Sequence, residues 1–413
     1  MSPVSRAPSN DVSLPQQEIA ELAASPEVSG AADWFRTQEK RISQWQLELA
    51  AVPAPPFGEA ARAQWLATRF AEVGLSQVAL DGVGNVVGMI PGTSKNVVSI
   101  SAHIDTVFPA GTRLNVRQEG GRLYGPGISD NAAGVTALLA LASAIKTLEI
   151  PHSSSLLFIG NVGEEGEGDL RGIRHIFSDS EWKDSITASV IIDGAGSDTI
   201  IAEALGSRRF EITVQGPGGH SWSDFGTPNP IMALGHALHL FSQTRVPSLP
   251  KTAYNVGVIS GGTSVNSIPE LASMRVDIRS TSPFEIERLE IELRRAVEQA
   301  VAEENRGGTR APGRQASELS AQVRIIGNRP AGELRADANI LRIARAVDAH
   351  IGNTAQVQRA STDANIPLSL GREAIAMGAG GRGGGAHTLQ EWFDPSGREF
   401  GLWRLLLIVL SLS

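Results

Sequence analysis

The stretch VVSISAHIDTVF, residues 97–108, decides how the fold of the whole chain is predicted. Residues 97–102 form a short apolar run that predicts a buried β-strand. The run ends at His103, and Asp105 follows two residues later. On its own, such a histidine is typical of a hydrogen-bonded residue at a strand end. Four other segments place acids or a histidine after a strand or in a turn, and their joint occurrence changes this interpretation.

Composition narrows the choice of fold and of metal ligands. With 413 residues, the chain exceeds what one hydrophobic core usually supports, so two domains are expected. A hydrophobic content of 41% and a charged content of 19% are ordinary for a globular protein. The net charge of −8 argues against nucleic acid or an anionic membrane as a partner. Cysteine is absent, so any metal must bind to His, Asp and Glu.

The two ends of the chain carry separate predictions. Residues 1–30 are expected to form a loose leader, with a short helix at residues 16–24. The polar residues 1–17 lack the apolar core of a secretory signal, and the apolar run 402–410 is too short to span a bilayer. We therefore predict a buried final helix and a cytoplasmic protein.

Between the ends, the pattern of elements predicts a domain interrupted by an insert. Strands and helices alternate over residues 31–206 and again over residues 331–413, which is typical of an α/β sheet covered on both faces. Residues 207–330 follow the order β-α-β-β-α-β, which fits an inserted ferredoxin-like domain. Residues 307–315, rich in Gly, Arg and Pro, are expected to form a flexible loop.

Candidate metal ligands occur in five segments near the ends of sheet elements. Ligands of open α/β sheets collect outside the carboxyl ends of the strands. Two histidines and three carboxylates, counting one of the adjacent glutamates, form a nitrogen and oxygen set that suits two zinc, cobalt or manganese ions. The candidates are His103, Asp130, the adjacent Glu164 and Glu165, Asp193 and His387.

Each candidate also has a structural interpretation. Asp130 can cap the apolar helix predicted at residues 132–148. The adjacent glutamates can form a solvated turn, and Asp193 before a glycine can form an ordinary one. The glycine run before His387 can be a surface loop. The joint occurrence of all five segments favours the metal site.

The motifs that carry these residues resemble those of a known family. The sequence is similar to the metallopeptidases that include peptidase T, bacterial glutamate carboxypeptidase, the di- and tripeptidases and the aminoacylases. It most resembles the peptidase T-like branch, over residues 45–413. The motifs are SAHIDTV, GPGISDN, GEEG, GPGGHS, GGTSVNSIP and GAHT. The resemblance implies a discontinuous α/β catalytic domain with a mixed, largely parallel, zinc-peptidase-like sheet. It also implies that the insert is a lid and dimerisation domain.

The resemblance also assigns the ligands. His103 and Asp193 would bind one ion, Glu165 and His387 the other, and Asp130 would bridge both. One or two divalent ions per subunit are expected, zinc first, with manganese or cobalt as alternatives. Asp193 resembles the di- and tripeptidase version of a position that varies among relatives.

Three further catalytic roles follow from the resemblance. Asp105 would fix the tautomer of His103. Glu164 would be the general base that takes a proton from a metal-activated water and passes it to the leaving nitrogen. His220, in GPGGHS, would hydrogen-bond the oxyanion, often in the active site of the partner subunit. The alternative for His220 is an exposed residue in a tight glycine turn.

Substrate contacts are implied for Asn266, in GGTSVNSIP, and for Arg279. Arginine suits this role because its planar fork meets a carboxylate bidentately. A solvated strand-end charge is the alternative interpretation of Arg279. Residues 361–365, STDAN, resemble a family segment that lines the cleft.

The resemblance implies a metal-dependent hydrolase that cleaves an amide bond of a small substrate. A di- or tripeptidase, or a peptidase T-like exopeptidase, is the first expectation, with N-acyl amino acids as further substrates. The alternative on the same metal site is an aminohydrolase of a small aromatic amine, of the nitroanthranilate type, which would release ammonia. A non-catalytic dimeric binding protein is a third hypothesis, disfavoured because all five ligands and Glu164 are present. A homodimer or higher homo-oligomer is expected through the insert.

Overall fold

The structure is a computed structural model that describes residues 13–307 and 318–413. The helices in these residues are α1 (Ser13–Ala24), α2 (Pro26–Ala50), α3 (Ala60–Val73), α4 (Ala132–Thr147), α5 (Arg171–Ser178), α6 (Pro230–Ser242), α7 (Pro283–Gly307), α8 (Asn339–Ile351), α9 (Asn365–Ser369) and α10 (Arg398–Leu412). The first strands are β1 (Ser76–Leu80), β2 (Val86–Ile90), β3 (Val97–His103), β4 (Arg117–Glu119), β5 (Arg122–Tyr124), β6 (Ser155–Asn161), β7 (Ile186–Ile192), β8 (Thr199–Ala204), β9 (Gly206–Gln215) and β10 (Gly219–His220). The remaining strands are β11 (Thr252–Gly261), β12 (Ser267–Ile268), β13 (Leu271–Ser280), β14 (Ser320–Arg329), β15 (Gly332–Glu333), β16 (Gln356–Ala360), β17 (Glu373–Met377), β18 (Arg382–Gly384) and β19 (Trp392–Asp394).

The chain folds as two compact units. The first runs to Glu203 and resumes at Glu333, and the second is Ala204–Gly332. Of the predicted flexible loop, residues 308–315 lie outside the described residues. None of the helices in the described ranges is long and apolar enough to cross a membrane.

The first unit is built on a mixed sheet. Its strand order is β1-β2-β6-β3-β7-β17-β8-β15, with β16 paired to β8. The central strands β6, β3, β7 and β17 run parallel, whereas β1 and β2 are antiparallel additions at one edge. All of β3 is buried, as expected for a strand covered on both faces. This arrangement confirms the predicted α/β fold with a mixed, largely parallel sheet.

Helix α4 is the most deeply buried helix against this sheet. Residues 132–145 are all buried, so the helix is apolar on every side, as a core helix must be. It contacts β3 on one side and α2 on another. Its alanines allow close packing, and its amino end lies at the candidate metal ligand Asp130.

The predicted short helix at residues 16–24 is present within α1, whereas the rest of the described part of the predicted loose leader is also helical. Helices α1 and α2 cover the chain from Ser13 on, and Ile19, Ala23 and Val28 are buried in the main core. Ile19 and Ala23 lie four residues apart and therefore share one helix face, which packs against α8 and α10. The polar composition around them concealed this short apolar stripe.

The second unit is an antiparallel sheet of order β11-β13-β9-β14 with two helices. Apart from the two-residue strands β10 and β12, its chain order is β9-α6-β11-β13-α7-β14, which confirms the predicted β-α-β-β-α-β pattern. Alternate residues of β13, such as Met274 and Ile278, are buried in the core that α6 and α7 cover. Arg275 and Arg279 lie on the opposite, more open face, as the two-residue period of a strand requires.

A small sheet of order β18-β19-β5-β4 lies in the first unit and was not predicted. Its strands are each three residues long, too short to show a period in the sequence. It pairs Leu123 and Tyr124 of β5 with Phe393 and Trp392 of β19, and so joins the turn that carries Asp130 to the loop that carries His387.

Candidate metal centre

Three neighbouring parallel strands deliver four of the candidate residues to one edge of the sheet. His103 is the last residue of β3, and Asp193 directly follows β7. Glu164 and Glu165 follow β6 after a short turn. Because β6, β3 and β7 are parallel neighbours, their carboxyl ends lie side by side.

Asp130 lies in the turn before α4 but does not cap the helix. The cap is Asn131, whose Oδ1 accepts the N–H of Gly134 at 3.0 Å. The Asn131 amide group also donates to the carbonyl of Ile192, the last residue of β7, at 2.8 Å. The Asp130 side chain is therefore left to face the strand ends, and the capping interpretation applies to its neighbour.

His387 reaches the same place from a glycine-rich loop. Its φ of 63° lies in the left-handed region, which is uncommon for a residue with a side chain and is a strained conformation found often at functional sites. A turn holds the segment, since the N–H of Thr388 donates to the carbonyl of Gly385 at 3.0 Å. The histidine side chain remains 55% exposed.

The central feature of the site is that Asp130 presents one carboxylate oxygen to each histidine. Its Oδ1 lies 3.1 Å from Nε2 of His103, and its Oδ2 lies 3.1 Å from Nε2 of His387. Asp193 lies on the His103 side, 3.9 Å from Nε2, and Glu165 lies on the His387 side, 3.0 Å from Nε2. The residues thus form two groups that share Asp130, and the ligand atoms of each group lie within 4.8 Å of one another.

Asp105 contacts both His103 and the adjacent glutamates. Its carboxylate accepts the backbone N–H groups of Glu164 at 3.0 Å and of Glu165 at 2.8 Å. The same carboxylate lies 3.6 Å from Nδ1 of His103, and the Asp105 carbonyl is closer, at 3.2 Å. Burial alone would raise the pKa of Asp105, but His103 and the two N–H groups hold it below its ordinary value.

Glu164 lies inside the cluster and is buried. One of its carboxylate oxygens is within 4.8 Å of a nitrogen of His103 and of an oxygen of Glu165. The backbone bonds to Asp105 fix the two adjacent glutamates, so their side chains leave the chain from a rigid support.

The electrostatics of the site show a demand for positive charge. Burial would raise the pKa of Asp130, but its contacts with His103 and His387 hold it well below its usual range. The bond to Asp130 raises the pKa of His387 to about 9. Burial lowers the pKa of His103, yet the surrounding carboxylates raise it well above its ordinary value. Without another cation, protonated histidines compensate the carboxylates.

The donor set fits two divalent ions. The groups contain four carboxylates, from Asp130, Glu164, Glu165 and Asp193, and two such ions would balance this charge. When two atoms bind the same zinc ion at about 2.0–2.1 Å with tetrahedral geometry, they lie about 3.3 Å apart. The distances from the Asp130 oxygens to Nε2 of His103 and of His387, each 3.1 Å, are close to this value. In the described ranges, all groups of three or more possible metal ligands fall at this edge of the sheet.

Two further buried carboxylates lie beside the site, of which sequence reasoning missed Glu391 and gave Asp363 no individual role. Glu391 accepts three backbone N–H groups from the Asp130 turn, and burial raises its pKa to about 7. Asp363, in the predicted cleft segment, accepts from the side chain of Asn161 at 2.6 Å, and burial raises its pKa to about 7. Asn161 is the register partner of His103. Glu391 follows His387 by four residues, and that proximity was its one sequence signal.

The other predicted residues lie in the second unit. His220 and Asn266 are neighbours, because β10 pairs with β12 and the N–H of Ser221 donates to the carbonyl of Asn266 at 3.0 Å. Arg279 lies near the far end of β13, where its Nε donates to Asp277 at 2.6 Å. Within this unit, Arg279 is therefore not brought together with the other two.

A cavity of about 610 Å³ opens beside Asp130 in the first unit. The glycine-rich segments 194–196 and 381–385 form much of its wall, with Trp392 at one side. The small side chains leave room for a substrate next to the candidate ligands.

Comparison with known proteins identifies the family. The family model of peptidase family M20/M25/M40 matches residues 99–406, well over half of the chain. The uncharacterized protein YqjE of Bacillus subtilis is 24% identical over 360 residues, which cover 83% of this chain and 91% of that protein. Aminopeptidase PepT from Bacillus cereus has a TM-score of 0.71 at 19% identity, covering 91% of this chain and 98% of that one. The Bacillus subtilis protein YXEP, described as a dinuclear metal binding peptidase, has a TM-score of 0.66 at 16% identity, covering 91% and 99%.

The two solved structures show the likeness of fold, and the family match confirms the resemblance found in the motifs. The match includes every residue of the two groups around Asp130. The chain therefore belongs to peptidase family M20/M25/M40 and is a metal-dependent hydrolase of amide bonds.

Proposed function

We propose that the chain is a two-metal exopeptidase of the peptidase T-like kind, acting on di- or tripeptides. The observation that carries this proposal is the division of the Asp130 carboxylate between His103 and His387. A single carboxylate that serves two separate groups of ligands is what a pair of neighbouring ions requires. The aminopeptidase PepT and the dinuclear peptidase YXEP, which share the fold, support this choice.

The proposed ligands follow the two groups. His103, Asp193 and one oxygen of Asp130 would hold one ion, and His387, Glu165 and the other oxygen would hold the second. When bound, such ions polarise a carbonyl oxygen and lower the pKa of a water molecule. Zinc is the first choice because the nitrogen and oxygen donors suit it, and manganese or cobalt would also fit.

Glu164 is proposed as the general base. It is buried beside Glu165 and His103, so its carboxylate can take a proton from a water molecule in the cluster. It would then give that proton to the leaving nitrogen. Asp105 supports this role because it fixes the backbone N–H of Glu164 at 3.0 Å.

His220 is proposed to donate a hydrogen bond to the oxyanion of the tetrahedral intermediate. Its Nδ1 accepts the backbone N–H of Trp222 at 3.2 Å, so the neutral ring carries its proton on Nε2. That tautomer is the one that can donate outward from this exposed loop. Asn266 and Arg279 are proposed to hold the backbone and the carboxylate of the substrate.

The position of Arg279 supports a homodimer in which His220 acts in the active site of the partner. The N–H of Gly216, close to His220, donates to the carbonyl of Glu270 at 2.9 Å, so His220 lies near the start of β13. Arg279 lies eight residues along the strand from Leu271, a distance of roughly 26 Å. An extended tripeptide spans about 10 Å. One substrate molecule therefore does not reach both residues of the same chain.

The first experiment tests the general base. Glu164→Gln should lower kcat by about 10²–10⁴-fold and leave both ions bound, because the amide cannot accept the proton. Glu167→Gln, an exposed position on the same loop, is the matched control and should stay within about twofold of wild type. Unchanged metal-dependent turnover in Glu164→Gln would contradict the mechanism.

A substrate panel tests the reaction. Metal-stripped protein, reloaded with zinc, manganese or cobalt in turn, should release amino acids from di- and tripeptides. N-acyl amino acids and small aromatic amines complete the panel. Release of ammonia from an aromatic amine, with no peptide cleavage, would replace the peptidase proposal by the aminohydrolase alternative.

Subunit mixing tests the role of His220. Glu164→Gln and His220→Ala are each expected to be nearly inactive alone. If His220 acts across a dimer, subunit exchange restores one of the two sites in each mixed dimer. Random 1:1 exchange makes about half of the dimers mixed, so the mixture should recover about a quarter of the wild-type activity. No recovery in verified mixed dimers would place His220 in its own active site, and a monomer by light scattering would exclude the dimer.

A further inference from the structure

The Glu391 carboxylate is buried and closes a turn of the main chain. Its Oε1 accepts the backbone N–H groups of Ser129 and Asp130, each at 2.7 Å. Its Oε2 accepts the N–H of Gly127, also at 2.7 Å. The residue is 0% exposed. Three short, charge-assisted bonds therefore join it to the turn that carries Asp130.

Glu391 also belongs to the loop that carries His387. Its own N–H donates to the carbonyl of Thr388 at 3.3 Å, which closes the segment directly after His387. Its carbonyl accepts the N–H of Gly125 at 3.1 Å. One residue thus ties together the two loops from which Asp130 and His387 extend, although more than 250 residues separate them.

We propose that Glu391 is a positioning residue that sets the spacing of Asp130 and His387 and thereby builds the ion site they share with Glu165. This inference rests on the two-ion function proposed above. We call the three bonds from Glu391 to the Asp130 turn the Glu391 clamp. The clamp does not contact His103 or Asp193, because His103 ends β3 and Asp193 directly follows β7, two parallel strands of the main sheet. Loss of Glu391 should therefore weaken the binding of the ion next to His387 more than the binding of the ion next to His103.

The chemistry of the clamp requires a carboxylate. Its two oxygens are acceptors only, and three N–H donors converge on them. A glutamine keeps the shape but turns an NH₂ group toward at least one of these donors, which leaves an N–H without an acceptor. The pairing of β19 with β5 remains in such a variant, so the expected change is confined to the Gly127–Asp130 turn.

Buried positive charge makes the carboxylate tolerable at this position. Arg62 is buried nearby, and its electrostatic interactions include both Glu391 and Asp105. Its guanidinium donates to the carbonyls of Val52 at 2.7 Å and Ile104 at 3.0 Å. The charge of the arginine therefore acts on both carboxylates, Asp105 and Glu391.

The experiment is a metal titration of metal-stripped wild type, Glu391→Gln and Asp348→Asn with zinc, followed by calorimetry and elemental analysis. Asp348 is a matched control, because it is a buried carboxylate with two bonds to Arg404, at 2.5 and 2.9 Å, away from the metal centre. Wild type should bind two ions. Glu391→Gln should bind the second about 10–100-fold more weakly, whereas Asp348→Asn should bind both normally despite a lower Tm.

Hydrogen exchange provides a second readout on the metal-free proteins. The amides of Gly127, Ser129 and Asp130 should lose protection in Glu391→Gln and keep it in Asp348→Asn. Two ions bound with wild-type affinity in Glu391→Gln would overturn the proposal, as would equal weakening of both ions in the two variants. Fewer than two ions in wild type would instead contradict the proposed function, and this inference would fall with it.

Discussion

The two sides of the candidate metal centre are built in different ways. His103 is 2% exposed and ends a strand of the parallel sheet, with Asp105 and the β6 turn packed around it. The His387 side chain is 55% exposed, and its backbone is held in the left-handed region on a glycine-rich loop. The core of the protein fixes the first side in advance. The second is assembled from loops distant in sequence, and its geometry depends on the bonds between them.

Asp130 is the point at which the two sides meet, so its loss should have the largest effect. Asp130→Ala removes a ligand from both groups and should abolish binding of both ions. Activity should then fall by at least about 10³-fold, since metal-ion and general-base catalysis are lost together. The measurement is kcat/KM with ion content. Asp198→Asn, an acid that lines the same cavity, should retain both ions.

Removing each histidine should separate the two sides. His103→Ala should lose one ion and also lower the free energy of unfolding by about 1–3 kcal/mol, because it leaves buried carboxylates without their partner. His387→Ala should lose the other ion with a smaller decrease in unfolding free energy, about 0.5–1 kcal/mol, because its ion pair with Asp130 is half exposed to solvent. Urea unfolding of the metal-free proteins measures both. Equal destabilisation by the two variants would contradict the difference in construction.

These predictions show which parts of the site are readable in the sequence. The apolar run ending at His103 predicts both a buried strand and a ligand at its carboxyl end, because the carboxyl ends of parallel strands lie side by side at one edge of the sheet, where ligands bind. The family and the α/β fold predicted in this way are confirmed. The ligand assignments and catalytic roles remain predictions, which the geometry around Asp130 supports.

Other parts were not readable for physical reasons. Glu391 acts through its contacts with backbone N–H groups, which leave no residue pattern in the turn they hold. The left-handed backbone of His387 is likewise invisible in the residue type. The sheet that joins their loop to the Asp130 turn consists of three-residue strands. The prediction that Asp105 orients His103 stays a prediction, with the carboxylate 3.6 Å from Nδ1, whereas its bonds to the N–H groups of Glu164 and Glu165 had no signal in the sequence.

Chelation kinetics would sharpen the comparison of the two sides. Because His387 is exposed and His103 is buried, a chelator should remove the ion on the His387 side first. Wild type should lose its ions in two phases, and His387→Ala should show the slow phase alone. Ion release followed by a colorimetric chelator measures this. Release of both ions in a single phase from wild type would contradict this difference between the two sides.

The smallest expected effect is a pH dependence of the metal-free protein. The pKa of His387 is raised from 6.5 to about 9 by its bond to Asp130, so the protonated form stabilises the fold. This contribution is fully present below about pH 6.5 and is lost as the pH rises through about 9. Tm should therefore decline over that range. His387→Asn should show a flatter profile over the same range.

Anomalous diffraction from crystals grown with zinc would locate the ions relative to Asp130. If Asp130 is shared by two ions, two peaks should lie on either side of its carboxylate, one next to His103 and Asp193 and the other next to His387 and Glu165. A single peak that contacts both histidines, or peaks that avoid Asp130, would contradict this arrangement.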